Sequence, residues 1–250
     1  MKILKYLILI NSISLSQSAD SLFHLANGYY VNEEFEDAII KYEQLAQIYE
    51  NEDLYLNLGN SYFKIGQLGN AIWAYEKGYL LSPRDNDINY NLKFVRNQIR
   101  DRIIAPDDFF IIALYRSIIN KFTLIDLIMI FGLMLLILSF LFVLHWNKKL
   151  SDKLYSILNT TLLIVLVITS GILLDKYWDV SDQEYGVVTS ISLDVRSSPI
   201  SRGENIVFVI HEGTKFDIIN EQGGWYEISL LDGKKGWVFS NDVRSIWNSF

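Results

Sequence analysis

Cysteine is absent from this chain, and proline and histidine occur only three times each. Without thiols there is no disulfide framework, no thiol redox switch and no cysteine-based metal site. His24, His145 and His211 fall in three separate regions, so no two of them share a site. Gly-rich phosphate loops, metal-spaced ligand clusters and a nucleophile with a base at catalytic spacing are also missing, which points away from an enzyme and from any cofactor. Basic residues are outnumbered, 22 Lys and Arg against 29 Asp and Glu, for a formal charge of −7. Both flanks of the chain are acidic and lack the clustered cations that nucleic acid requires.

What the chain has in quantity is apolar sequence. Residues 124–144 form a run of about 21 residues, enough at roughly 1.5 Å per residue to cross a hydrocarbon core of about 30 Å. Residues 157–174 form a second run of about 18. Both must be helical, because a spanning segment satisfies its own backbone hydrogen bonds. Asp126 lies within one turn of the first run's start and reads as an end marker at headgroup depth; the competing reading is an intramembrane functional carboxylate. The link 145–156 carries Lys148, Lys149 and Lys153 against Asp152, and short Lys-rich loops stay cytoplasmic. Both flanks are therefore expected together on the non-cytoplasmic side of the membrane.

Lys2 and Lys5 precede the apolar stretch Ile3 to Ile13, which is followed by small residues through Ala19, the pattern of a secretory signal over residues 1–19. Cleaved or retained, it leaves the topology unchanged.

The segment 20–105 repeats itself with a shift of 33 residues: Leu25 falls on Leu58, Tyr29 on Tyr62, Ala38 on Ala71 and Tyr42 on Tyr75. Each unit, about 19–51 and 52–85, reads as two amphipathic helices joined by a polar turn, and small residues at Ala26 and Gly59 let the paired helices approach. Residues 86–104 read as a capping helix with Ile88, Leu92, Val95 and Ile99 on one face. With Tyr55, Leu58, Gly59 and Tyr62 on one helix, Ala71, Tyr75 and Gly78 on the next and Pro83 closing it, the second unit resembles the tetratricopeptide repeat. That resemblance implies an all-α solenoid with a peptide-docking inner face, here lined by Phe23, Asn27, Tyr30, Leu56, Asn57, Asn60, Phe63 and Lys64. The cations of a carboxylate clamp are missing. The plainer reading is that these are packed aromatics and capping or solvated asparagines.

Residues 106–122 begin with proline and acids and continue as an apolar run broken by Arg116 and Lys121, too short to span. An interfacial helix fits, with a core helix of the repeat domain as the competitor. From Tyr185 the pattern changes to short alternating runs, 185–193, 206–210, 215–220, 225–230 and 236–239, separated by turn chemistry, which predicts a small five-stranded β-barrel over 183–247. Leu193-Asp-Val-Arg-Ser-Ser-Pro199, His211-Glu-Gly-Thr-Lys215, Gly224-Trp-Tyr-Glu-Ile228 and Gly236-Trp-Val-Phe239 in this order resemble a bacterial SH3 domain. That family implies targeting or docking in the envelope, in some members to peptidoglycan. Arg196, Trp225, Tyr226 and Trp237 are the candidate ligand residues; the alternative is that both tryptophans pack in the core and at the barrel edge.

The whole order of modules, a multidomain membrane protein with an all-α tetratricopeptide solenoid, a two-helix transmembrane hairpin and a small all-β SH3-like barrel, resembles the BatE proteins of the Bacteroides aerotolerance operon. The resemblance implies an accessory in the bacterial inner membrane, its two soluble modules in the periplasm, serving membrane partners with von Willebrand A domains and a MoxR-type ATPase in oxidative or envelope stress. The expected role is a non-catalytic scaffold; the alternative is a peptidoglycan-binding anchor or sensor.

Overall fold

The structure is a computed structural model and describes residues 19–103, 109–182, 184–200 and 205–246. The signal segment over 1–18, the Pro106 joint and both outer limits of the expected barrel lie outside the described residues. The described residues form two compact units, one drawn from 19–103, 184–200 and 205–246, the other from 109–182.

Among the described residues of the first unit five helices precede a sheet: α1 over 19–31, α2 Phe35–Ala46, α3 Glu52–Lys64, α4 Leu68–Leu81 and α5 Asn86–Arg96. The 33-residue shift is visible in the backbone. Glu33 and Gly66, equivalent positions, both take left-handed φ, +63° and +78°, to turn α1 into α2 and α3 into α4. Asn51 caps α3 by accepting from the Leu54 N–H, and Asp85 caps α5 by accepting from the Asp87 and Ile88 N–H groups. Gly59 has no Cβ because one would stand 2.5 Å from the Tyr75 ring, which lets α3 and α4 close on each other. The capping helix, expected to reach residue 104, stops at Arg96. Ile99 and Ile103 leave the helix because they pack elsewhere, Ile99 against the helical core and Ile103 against the barrel core.

The sheet has seven strands where five were expected: β1 Tyr185–Val188, β2 Ser192–Arg196, β3 Ile206–His211, β4 Lys215–Gln222, β5 Trp225–Ser229, β6 Lys235–Phe239 and β7 Val243–Ile246. All pairings are antiparallel, in the order β3-β2-β6-β5-β4-β1-β7. The expected run 185–193 breaks after Val188, where the Thr189 and Ser190 N–H groups turn to donate to the Asp242 carbonyl. β7 follows a short 3-10 turn, Ser240–Asp242, and pairs with β1.

Helices and sheet share one body. Val187 of β1 and Ile246 of β7 are buried in the helical core, not the barrel core. The Trp73 indole N–H donates to the Ser245 carbonyl at 2.9 Å, and the Arg244 guanidinium stacks on the Trp73 ring, 3.3 Å from its centroid. Arg244 also grips both oxygens of Glu43, at 2.8 and 3.1 Å, and donates to the Tyr62 hydroxyl and to Asn70. Glu76 is buried and lies between Lys215, at 3.0 Å, and Arg96. Burial alone would push its carboxyl up, but the charges of Lys215 and Arg96 overcome that and hold it below its ordinary value. Asp101 accepts from the His211 N–H and the Thr214 hydroxyl and contacts the His211 ring at 2.9 Å; these bonds outweigh burial and lower its pKa too. The Gly69 N–H donates to Glu212, and Gly69 sits so close to the Val188 carbonyl that no Cβ fits.

The second unit holds α6 Phe110–Ile119, α7 Leu124–Trp146 and α8 Asp152–Asp182. α7 and α8 are long and apolar enough to cross a membrane, with mean hydropathy 3.1 and 2.4. Thr123 and Asp126 form a reciprocal capping box at the start of α7, so the one acid of that run serves the helix end. The link between them is shorter than expected, residues 147–151, and α8 outruns its apolar stretch at both ends. His145 and Tyr155 stack across the turn, 4.1 Å between ring centroids.

Candidate docking groove and helical face

Strand alternation builds the barrel's outer face. On β2, Leu193 and Val195 point into the core, leaving Asp194 and Arg196 outside. On β6, Gly236 and Val238 are buried and Trp237 and Phe239 take the other side. On β5, Ile228 enters the core and Trp225 faces the opposite way, against Phe239, with ring centroids 5.4 Å apart and planes at 74°. A groove of about 450 Å³ opens there, lined by Ser192, Leu193, Asp194, Arg196, Trp225, Phe239 and Asp242. Arg196 is held by Asn205 at 2.8 Å and Asp194 at 3.5 Å, so its fork is oriented before any ligand arrives. The groove combines the exposed Phe239 ring, set edge-on to the largely buried Trp225, with one fixed guanidinium and two carboxylates, which suits an extended peptide with mixed polar groups.

Of the candidate barrel residues, Arg196 and Trp225 line this groove. Trp237 stands on the same face, in register with Arg196, but outside the lining and outside the core. Tyr226 points the other way and packs against the barrel core; burial and the nearby Glu221 and Glu184 raise its pKa. Phe239 and Asp242 were not foreseen. Phe239 was legible as the residue two beyond Trp237 on the same strand face, whereas Asp242 enters from the 3-10 turn, which the sequence does not announce.

On the helices, Asn27 Oδ1 accepts from the Tyr42 hydroxyl at 2.5 Å and from Asn57 Nδ2 at 3.3 Å. Its repeat equivalent Asn60 accepts from the Tyr75 hydroxyl at 2.7 Å and from Asn91 Nδ2 at 2.9 Å. The asparagines thus form a ladder joining α1 to α3 and α3 to α5, and their oxygens serve the stack. Burial raises the pKa of both tyrosines. Phe23 packs on Tyr42, Tyr30 edge-on to Phe35, Lys64 over Phe35, and Leu56 half-buried against the core. Phe63 meets Phe94, which stacks on Tyr90. Tyr90, Asn91 and Phe94, all from α5, extend this face and were not among the expected residues, because α5 was read only by its apolar stripe. Among the described residues no group of three His, Asp or Glu side chains is arranged to hold a metal ion.

Residues 191–244 match the bacterial SH3 domain family, so the C-terminal sheet is a domain of that class. The putative N-acetylmuramoyl-L-alanine amidase YrvJ of Bacillus subtilis (strain 168) is 35% identical over 80 residues, 31% of this chain and 15% of that protein. The chain therefore spans only a small part of this curated relative. A crystal structure of an NlpC/P60 family protein from Bacillus cereus ATCC 10987 aligns at 18% identity over 30% of this chain and 24% of that one, with a TM-score of 0.22, too partial to carry an argument.

Proposed function

We propose that the protein is a non-catalytic docking scaffold of the bacterial envelope, anchored by α7 and α8 in the inner membrane, with its SH3 groove and its helical face presented in the periplasm. The observation that carries the reading is the open groove walled by Trp225 and Phe239, which shares no residue with the joint that fixes the barrel to the helices. The groove and the joint are thereby separate. The joint also supports the topology. Two modules with a common core lie on one side of a membrane, so the chain between them crosses it an even number of times, and Lys148, Lys149 and Lys153 mark the loop side as cytoplasmic. In this reading the helical unit is a tetratricopeptide solenoid, and the protein serves a BatE-like role beside von Willebrand A and MoxR-type partners.

The second reading, an anchor or sensor of peptidoglycan, is favoured by one observation: the stretch shared with a protein named as a muramoyl-alanine amidase. A photocrosslinker at Phe239 in intact envelopes tests both. Crosslinks to membrane proteins with von Willebrand A domains support the scaffold; crosslinks to murein alone favour the anchor. Crosslinks to neither overturn the groove as a docking site.

A further inference from the structure

Resting on the reading of α7 and α8 as spans, we propose that α6 is a third membrane-bound element, lying flat at the boundary of the bilayer with its apolar arc in the acyl chains, so that its partner is the lipid surface itself. At about 100° per residue, Leu114, Ile118, Ile111, Ile119 and Ile112 fall on an arc of about 160° with Tyr115 near its middle and Phe110 just beyond its Leu114 edge, while Arg116, Asn120, Ala113 and Ser117 occupy the opposite side. None of the helix is buried in protein, and Ile111, Ile112, Leu114 and Ile118 are exposed. With 10 residues, about 15 Å long, it is too short to cross.

Two contacts set its height and roll. The Tyr115 hydroxyl donates to Asp175 at 2.6 Å, and Asp175 is the first charge after the apolar stretch of α8 ends at Leu174. Tyr115 lies at the middle of the apolar arc, so that bond turns the arc toward the level at which α8 leaves the hydrocarbon. At the other end, residues 120–123 lead directly into the Thr123 and Asp126 capping box that starts α7. Both neighbours of α6 are thus at a membrane boundary, the level at which tyrosine is enriched. Arg116 and Asn120 then face the headgroups, and the arc of isoleucines and leucine has lipid as its cover.

The absence of cysteine permits a direct test. Single cysteines at Leu114, Ile118, Ala113 and Ser117 carry an environment-sensitive fluorophore in the full chain, reconstituted in phosphatidylcholine vesicles, with Leu133 of α7 and Lys235 of the barrel as references. Labels at Leu114 and Ile118 are expected to emit to the blue and to be quenched by nitroxide lipids, and those at Ala113 and Ser117 by aqueous iodide. Tyr115→Phe and Asp175→Asn should each lower nitroxide quenching at Ile118 at least twofold. Iodide quenching at all four positions equal to that at Lys235 overturns the proposal, and so does protection from both quenchers, which would mean a protein cover. If Leu133 also escapes nitroxide lipids, the anchor reading falls with it; if Leu133 is quenched and Leu114 and Ile118 are not, only the α6 proposal falls.

Discussion

Replacing Arg244 by methionine should open the barrel from the helices without unfolding either. The side chain stacks on Trp73 at 3.3 Å, an arrangement worth about 1 to 2 kcal/mol when partly desolvated. Its two-pronged contact with Glu43 joins side chains that are 27% and 30% exposed, shielded enough to add about 1 kcal/mol beyond a surface pair. The loss is thus about 2 to 3 kcal/mol, since methionine keeps the stem's packing on Trp73. Each 1.4 kcal/mol is about a factor of ten, so amide hydrogen exchange in β7 and α4 should accelerate roughly 30- to 150-fold in the full-length protein, while β5 and α3 change little. Arg244→Lys should fall between, because it retains the charge and loses the planar fork. Glu43→Gln combined with Arg244→Met should cost less than the two changes separately, by about 1 kcal/mol. Strict additivity, or less than threefold faster exchange in β7, would refute Arg244 as the centre of the joint.

Acid should loosen the same joint. The Glu76 and Asp101 carboxyls are held below their ordinary values in the folded state, so their contribution is complete above about pH 4.5 and is lost as pH falls through those lowered values. Exchange in β7 should rise in that window, and Glu76→Gln should flatten the response. Gly69→Ala has no room beside the Val188 carbonyl and should destabilise the joint by about 1 to 3 kcal/mol, whereas Gly28→Ala, with nothing within 4 Å, should stabilise α1 slightly; thermal unfolding of the pair reads the difference. Asn60→Ala leaves the buried Tyr75 hydroxyl without its acceptor and should lower stability by about 1 to 3 kcal/mol in denaturant titration.

Local pattern carried much of the architecture into the sequence. The 33-residue shift, the two apolar runs and the turn chemistry between short alternating segments each depend on neighbours a few residues apart, and helices and strands form within those stretches, although the capping helix ends early, 185–193 breaks after Val188 and Val243–Ile246 adds a strand. The joint depends on pairs 110 to 201 residues apart, Asp101 with His211, Glu76 with Lys215 and Glu43 with Arg244, and no local period reports those. One signal was present. Ala71-Ile-Trp-Ala-Tyr75 is an unbroken apolar run that leaves this part of α4 without a polar face, and the structure buries every residue from Ala71 to Glu76. Glu76, a single acid after that run, and Val243-Arg-Ser-Ile246, short and half polar, concealed the barrel's contribution. On the candidate sites, side-chain type was legible and orientation was not: Tyr226 and Trp225 are adjacent in sequence and face opposite ways, and the asparagine oxygens bond to the repeats' own tyrosines.

The claim on which the rest depends is that the helical unit and the barrel lie together outside the cytoplasm while the 147–151 link lies within it. Single cysteines at Asp37, Asp232 and Ser151, challenged in intact spheroplasts with a membrane-impermeant maleimide, test it directly. Labelling at Asp37 and Asp232, with Ser151 reacting only after lysis, is the predicted result. Labelling of Ser151 in intact cells, or Asp37 and Asp232 reacting from opposite sides, would contradict it.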